Sequence, residues 1–268
     1  MKVSIIDTQN RKTGEIELPQ QFGEEVRLDL IKRAVVTLQS NDRQPYGAAP
    51  RAGKRYSAKL SRRRRAYRGS YGAGISRVPR KILSRRGRRM HWVGALAPGT
   101  VGGRRAHPPK AGKIIIKKIN IKENRKAIRS CIAATMQKSI VQERGHQIPT
   151  GFPFILSSSF EAITKTKDMV KALESVGLEK ELARTEERKI RAGKGKARNR
   201  KYKSKKGPLI VLSKDSAISK SAKNIPGIDI VTVNQLNAAL LAPGAVPGRL
   251  TLWTQNAIEV LQKDNLFM

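Results

Sequence analysis

The sequence predicts an α/β protein: a single globular domain with a mostly parallel sheet covered by helices, carrying one very long extended loop. Three observations predict it. Short apolar strand-like runs alternate with helix-like runs in residues 1–42 and 113–268, the pattern of parallel strands joined by crossover helices. Residues 43–112 lose that periodicity and hold 11 of the 22 glycines and 6 of the 13 prolines. Charge is segregated in the same way: residues 43–122 hold 24 Lys and Arg and no Asp or Glu, although the whole chain is only +36.

Taken in order, residues 2–7 are rich in β-branched side chains and predict a short strand, with 8–14 as its turn. Val26, Leu30, Ala34 and Leu38 recur near helical spacing and predict a helix over 24–39. Glu24, Glu25 and Asp29 suit the positive end of its dipole. Beyond the basic loop, Ile114, Ile115, Ile116, Ile119 and Ile121 read as a strand or as an apolar lead-in to a helix. A helix is expected over 125–144, with Ile128, Cys131, Ile132, Thr135 and Ile140 inward and Gly145 as its stop. Residues 154–156 read as a buried strand, Ser157–Ser159 as a helix N-cap, and a helix runs on to Val176, ended by Gly177. A charged helix follows over 179–190. Strands are expected at 209–212, 228–233 and 250–253, and helices at 214–223, 234–241 and 254–262.

The lone Cys131 excludes an internal disulfide framework and a cysteine-rich metal site, and reads as a small buried apolar residue. His91, His107 and His146 lack metal-ligand spacing. No apolar run approaches the ~18 residues of a membrane span, and the N-terminus reads as a strand, so a cytoplasmic protein is expected. No nucleophile elbow, kinase signature or histidine–carboxylate cluster points to an enzyme, and no cofactor is expected. The glycines of residues 68–74 match neither the dinucleotide fingerprint nor the Walker sequence.

Like charges without counter-charges repel unless a polyanion neutralises them, so residues 43–122 predict a nucleic-acid partner. Sixteen of the 24 charges are Arg, which contacts phosphate bidentately and stacks on bases. No helix-turn-helix, zinc finger or basic zipper offers a reader of duplex DNA. Aromatics interleaved with arginines suit folded RNA instead. The candidate contacts begin with Arg43, Tyr46, Arg51, Lys54, Arg55, Tyr56 and Lys59, and continue through Arg62, Arg63, Arg64, Arg65, Tyr67, Arg68 and Tyr71. Arg77, Arg80, Lys81, Arg85, Arg86, Arg88, Arg89, His91 and Trp92 follow, then Arg104, Arg105, His107 and Lys110. Residues 184–206 add a net +10 and predict a second contact through Lys194, Lys196, Arg198, Arg200, Lys201 and Tyr202. Fixing a residue's backbone costs ~1–2 kcal/mol, and residues 43–112 offer few large apolar side chains in return. The loop is therefore expected to order against its partner. With legs of about 35 residues at ~3.3 Å each, it could reach up to roughly 110 Å.

Specific stretches carry a resemblance. Residues 74–80 (GISRVPR), 103–110 (GRRAHPPK), 193–212 (GKGKARNRKYKSKKGPLIVL), 224–233 (NIPGIDIVTV) and 241–250 (LAPGAVPGRL) recur in the order and spacing of one family. The chain resembles the universal large-subunit ribosomal protein L-four family, archaeal type, over nearly its whole length. The resemblance implies a structural, non-enzymatic constituent of the large ribosomal subunit. It implies a globular domain on the outer face and a loop reaching inside to contact several domains of the ribosomal RNA, with a part in early assembly. It further implies contacts with other large-subunit proteins, and a loop tip that lines the nascent-peptide exit tunnel. By position in the motif that tip lies within residues 62–76, centred on Arg68, Gly69, Ser70, Tyr71 and Gly72. An alternative keeps the RNA but changes the role: a free protein that regulates by binding its own or another messenger. An RNA-modifying enzyme is disfavoured, because residues 8–14 form a plain turn where a cofactor loop would follow the first strand. A DNA-compacting protein is set apart by equal affinity for duplex DNA.

Overall fold

The computed structural model describes residues 1–66, 69–87 and 89–268. Its chain divides into two units, one of Met1–Asp42 with Ile116–Met268 and one of Arg43–Ile115. In the first unit strands β1 (Lys2–Ile6) and β2 (Lys12–Glu17) precede helix α1 (Leu28–Asn41). Strands β3 (Arg80–Arg86) and β4 (Arg89–Gly94) belong to the second unit. The first unit resumes with α2 (Ile121–Met136), α3 (Lys138–Glu143), β5 (Phe154–Leu156), α4 (Thr166–Ser175) and α5 (Glu179–Glu186). Then come β6 (Arg188–Ile190), β7 (Tyr202–Ser204), β8 (Leu209–Leu212), α6 (Ala217–Lys223), β9 (Asp229–Thr232), α7 (Ala238–Leu241), β10 (Thr251–Trp253) and α8 (Gln255–Lys263).

Side-chain alternation along the central strands decides the layering. Leu209 and Val211 of β8 join one apolar cluster, and Ile210 and Leu212 join another. Ile155 of β5 and Trp253 of β10 face the first cluster, while Phe154, Leu156 and Leu252 face the second. Residues of α1, α2, α7 and α8 complete the first cluster, and residues of α4 and α6 the second. The unit is therefore an α/β sandwich with helices against both faces of its strands. Cys131 lies in the first cluster, and burial pushes its thiol up to about 12.

The six strands packed between the helices form two three-stranded sheets, not the single sheet expected. One has the order β2-β1-β5 and the other β10-β8-β9. An isolated parallel bridge between Leu156 and Thr254 links them. The pairs β1–β5, β8–β9 and β10–β8 are parallel, whereas β2 pairs antiparallel with β1. The turn expected over 8–14 gives way at Lys12 to this edge strand, whose polar Lys12, Glu15 and Glu17 show no apolar run.

Several further boundaries differ: the helix expected to run on to Val176 is a 3-10 turn over Ser158–Ala162 followed by α4 from Thr166, and that expected over 234–241 is a 3-10 turn over Val233–Gln235 followed by α7. Helix α1 starts at Leu28, so Glu24 and Glu25 precede it. Here the Arg27 N–H donates to Ser130 Oγ (2.7 Å), and that hydroxyl donates to the Glu25 carbonyl, holding the approach extended against α2. Glu24 instead pairs with Arg129 at 2.7 Å. The helix expected over 125–144 breaks at Gln137, whose backbone is extended. The break lets Met136 stay on the first cluster while Val141 reaches the second. The helix expected over 179–190 ends at Glu186, and the chain turns into β6.

The second unit is not wholly irregular. Strands β3 and β4 form an antiparallel hairpin with Ile82 opposite Trp92 and Arg85 opposite Met90. Elsewhere in it, backbone segments lie so close that side chains do not fit. A Cβ on Gly53, whose φ is +72°, would meet the Arg104 Cα at 2.4 Å, and one on Gly47 would meet the Ala111 nitrogen at 2.5 Å. The Ala48 N–H donates to the Pro109 carbonyl at 3.0 Å, so the outgoing and returning stretches run side by side here.

Candidate nucleic-acid interface

With no Asp or Glu between 43 and 115, the cations of the second unit have no carboxylate of their own to pair with. They turn outward. Arg43, Arg51, Lys54, Arg55, Lys59 and the run Arg62 to Arg65 are exposed, as are Arg77, Arg85, Arg86 and Arg89. Arg105, His107, Lys110, Tyr46, Tyr56, Tyr71 and His91 are exposed too, whereas Arg80, Lys81, Trp92 and Arg104 are half-buried. Tyr67, Arg68 and Arg88 lie outside the described residues.

The aromatics serve this charge locally. The Arg77 guanidinium lies 4.7 Å from the Tyr71 ring centre, and that of Arg64 lies 5.6 Å from it. Arg80 lies over Trp92 at 5.2 Å and Lys81 over Tyr56 at 3.8 Å. A ring quadrupole attracts a cation by ~0.5–1 kcal/mol at exposed sites. Rings thus hold cations that have no anionic partner in the unit. Of the residues assigned to the loop tip, Gly69 is half-buried and Ser70 is buried. The Ser70 hydroxyl donates to the Ser61 carbonyl at 2.9 Å, while Tyr71 and Gly72 are exposed.

The second basic stretch is a hairpin on the first unit. Strands β6 and β7 pair Arg188 with Ser204, Lys189 with Lys203 and Ile190 with Tyr202. The connection contains a 3-10 turn over Gly193–Arg198, and Asn199 takes a left-handed conformation (φ 58°). Lys194, Lys196, Arg198, Arg200, Lys201 and Tyr202 are all exposed, with Lys201 over the Tyr202 ring at 5.4 Å. Arg188, Lys189 and Lys203 share this surface, and the sequence reading did not single them out. The pairing of 188–190 with 202–204 brings them together, and the helical reading of 179–190 hid that pairing.

Carboxylates fix the root of this hairpin. Buried Glu181 accepts hydrogen bonds from Arg184 (2.6 and 2.8 Å), from His146 Nδ1 (2.7 Å) and from the Gln147 N–H (3.0 Å). Burial alone pushes its carboxyl up, but the bonds from Arg184, His146 and Gln147 outweigh it and hold the group at about 2. Burial holds the His146 imidazole below its ordinary value, so at neutral pH it is neutral and donates through Nδ1–H. Arg184 also donates to the Lys206 carbonyl at 2.8 Å. Lys206 pairs with Asp229 at 2.9 Å, and Asp229 pairs with the fully buried Arg249 at 2.6 Å. Arg249 further donates to the carbonyls of Gly207 and Leu240. The basic hairpin therefore leaves from and returns to a rigid, acid-clamped base.

Among the described residues no three His, Cys, Asp or Glu are placed to hold a metal ion, and no helix is long and apolar enough to cross a membrane. The sequence pattern of the Ribosomal protein L4/L1 family matches residues 16–264. The chain belongs to that family. It is 50% identical to the large ribosomal subunit protein uL4 of Nanoarchaeum equitans over the full length of both chains. It is 45% identical to the protein of the same name from Archaeoglobus fulgidus, covering 97% of this chain and 98% of the relative. It is also 45% identical to that of Methanococcoides burtonii, over 95% of each.

Proposed function

We propose that the chain is a structural, non-catalytic constituent of the large ribosomal subunit in the cytoplasm, and that it binds large-subunit ribosomal RNA through residues 43–112 and 184–206. One observation carries the reading: residues 43–115 form a unit with no carboxylate, and most of its described arginines are exposed. In this reading the α/β unit, with its mostly parallel strands, is the anchor. Residues 43–112 are a long arm that contacts several RNA domains and contributes to early assembly. Residues 68–72 at its tip meet the nascent polypeptide in the exit tunnel wall, and other large-subunit proteins complete the surroundings.

The roles follow from side-chain chemistry. Arg62 to Arg65, Arg85, Arg86, Arg89, Arg104 and Arg105 neutralise phosphates crowded by RNA folding. Tyr46, His91 and the rings now covered by the chain's own cations offer faces for unstacked bases. When RNA binds, a guanidinium can leave its ring for phosphate and free that ring for a base. The hairpin β6–β7 supplies a separate contact through Arg198, Arg200, Lys201 and Tyr202.

Hydroxyl-radical footprinting on large-subunit RNA tests the reading with the full chain and with a chain lacking residues 45–110. The deletion is expected to remove most protections and leave those of the β6–β7 hairpin. Identical footprints would overturn the assignment of the arm.

A further inference from the structure

One groove on the α/β unit has the opposite sign to both basic surfaces. Helices α4 and α5 and the turn after α6 enclose about 320 Å³. Val170, Leu182 and Ile225 line it together with Glu174, Glu179 and Glu186. Among the described residues no Lys or Arg lines it.

Helical spacing builds this surface. Val170 and Glu174 are four apart on α4, and Glu179, Leu182 and Glu186 are three or four apart on α5, so each set forms one stripe. Lys167 and Lys171 lie three residues before Val170 and Glu174, about 60° round α4, and Lys180 follows Glu179 at about 100° on α5; none of the three lines the groove. Ile225 is buried and Val170 and Leu182 are half-buried, whereas the three glutamates are exposed. None of the three enters an ion pair among the described residues. In a chain of net charge +36, three free carboxylates around an apolar floor are a local reversal. They repel RNA phosphate and favour a cation that also carries apolar surface.

We infer that this groove docks a Lys/Arg-rich segment of another protein, anchored by an aliphatic side chain on Val170, Leu182 and Ile225. The inference rests on the reading that the chain works inside a ribonucleoprotein. There the neighbours are RNA, which the groove repels, and proteins that meet the same RNA with basic segments like residues 43–115. Spacing narrows the occupant. Glu179 and Glu186 stand two turns apart, roughly 10 Å along α5. Basic residues three apart on a polyproline-II segment, at three residues per turn and ~3.1 Å per residue, share one face and match that distance.

Isothermal titration of the full chain with a twelve-residue peptide tests this. The peptide carries Lys or Arg at every third position and leucines between. One-site binding is expected, weakened at least tenfold in the triple variant Glu174→Gln, Glu179→Gln, Glu186→Gln. Ala183→Trp, which fills the groove from α5, is expected to weaken it similarly without touching charge. A peptide with serines for the leucines is expected to bind at least tenfold more weakly. Equal affinity for wild type and both variants, or equal affinity of the serine peptide, would each overturn the inference. Binding of a large-subunit RNA fragment, measured separately, is expected to change less than twofold in either variant. Peptide binding without RNA binding in the wild type would sink the RNA reading and leave the docking site standing as a property of the surface.

Discussion

Strands β8 and β3 show what the two units ask of the same backbone. All four residues of β8 are buried, and they reach both apolar clusters. None of the seven residues of β3 is buried, and five are exposed. Fully burying a Leu or Ile side chain contributes ~1.5–3 kcal/mol, so β8 is held by what surrounds it. Strand β3 has its hairpin partner and a few ring–cation contacts. A two-stranded hairpin alone is marginal in water. The difference separates strands that make a fold from strands that present charge.

The comparison can be broken by substitution. Trp253→Ala in β10 removes a fully buried ring packed edge-on against Phe22, and is expected to destabilise the α/β unit by ~3–5 kcal/mol in urea unfolding. Glu181→Gln leaves Arg184 and His146 without their carboxylate, at an expected cost of about 3 kcal/mol. At the other extreme, Ile82→Ser on exposed β3 is expected to stay within about 0.5 kcal/mol. A loss at Ile82 as large as that at Trp253 would mean that the hairpin belongs to a core of its own.

Acid separates the units as well. The Glu181 carboxyl, at about 2 in the fold against an ordinary 4.5, favours folding above pH 4.5, and that contribution fades as pH falls toward 2. His146 sits below its ordinary 6.5, so the unfolded chain takes up this proton first and stability falls as pH drops below about 6.5. Unfolding free energies of His146→Gln measured from pH 7 to pH 5 should lose that slope. Salt probes the other side of the comparison. Replacing Arg62 to Arg65 with alanine is expected to flatten the log–log salt dependence of RNA binding by roughly 3, at ~0.7 per phosphate contact. The same measurement on Trp253→Ala, below its unfolding point, should keep the wild-type slope.

Legibility in the sequence followed burial. The apolar runs at 209–212 and 154–156 could only be strands of a covered sheet, and they are. Caps were less legible: Ser157–Ser159, expected to cap a helix, opens a 3-10 turn with no side-chain cap bond, whereas Thr254 and Asn237, placed inside expected helices, are the residues that cap. Strand β2 was not legible, because an edge strand facing water carries Lys and Glu where the pattern asks for apolar residues. Nor were the hairpins β3–β4 and β6–β7, whose strands carry almost no apolar alternation. The start of α1 is set by Ser130, over a hundred residues away, and no local signal announces it. On the candidate interface the charged residues were visible one by one. The rings of Tyr56, Tyr71 and Trp92 read as platforms for bases, and the structure gives them a prior use as seats for the chain's own cations.

Cys131 turns the interior of this protein into its own clock. A thiol held near 12 is almost never the reactive thiolate, and its neighbours on α1 and α2 shut reagents out. Alkylation can proceed only during the moments when those helices part. The labelling rate of this single thiol therefore times the opening of the α/β unit.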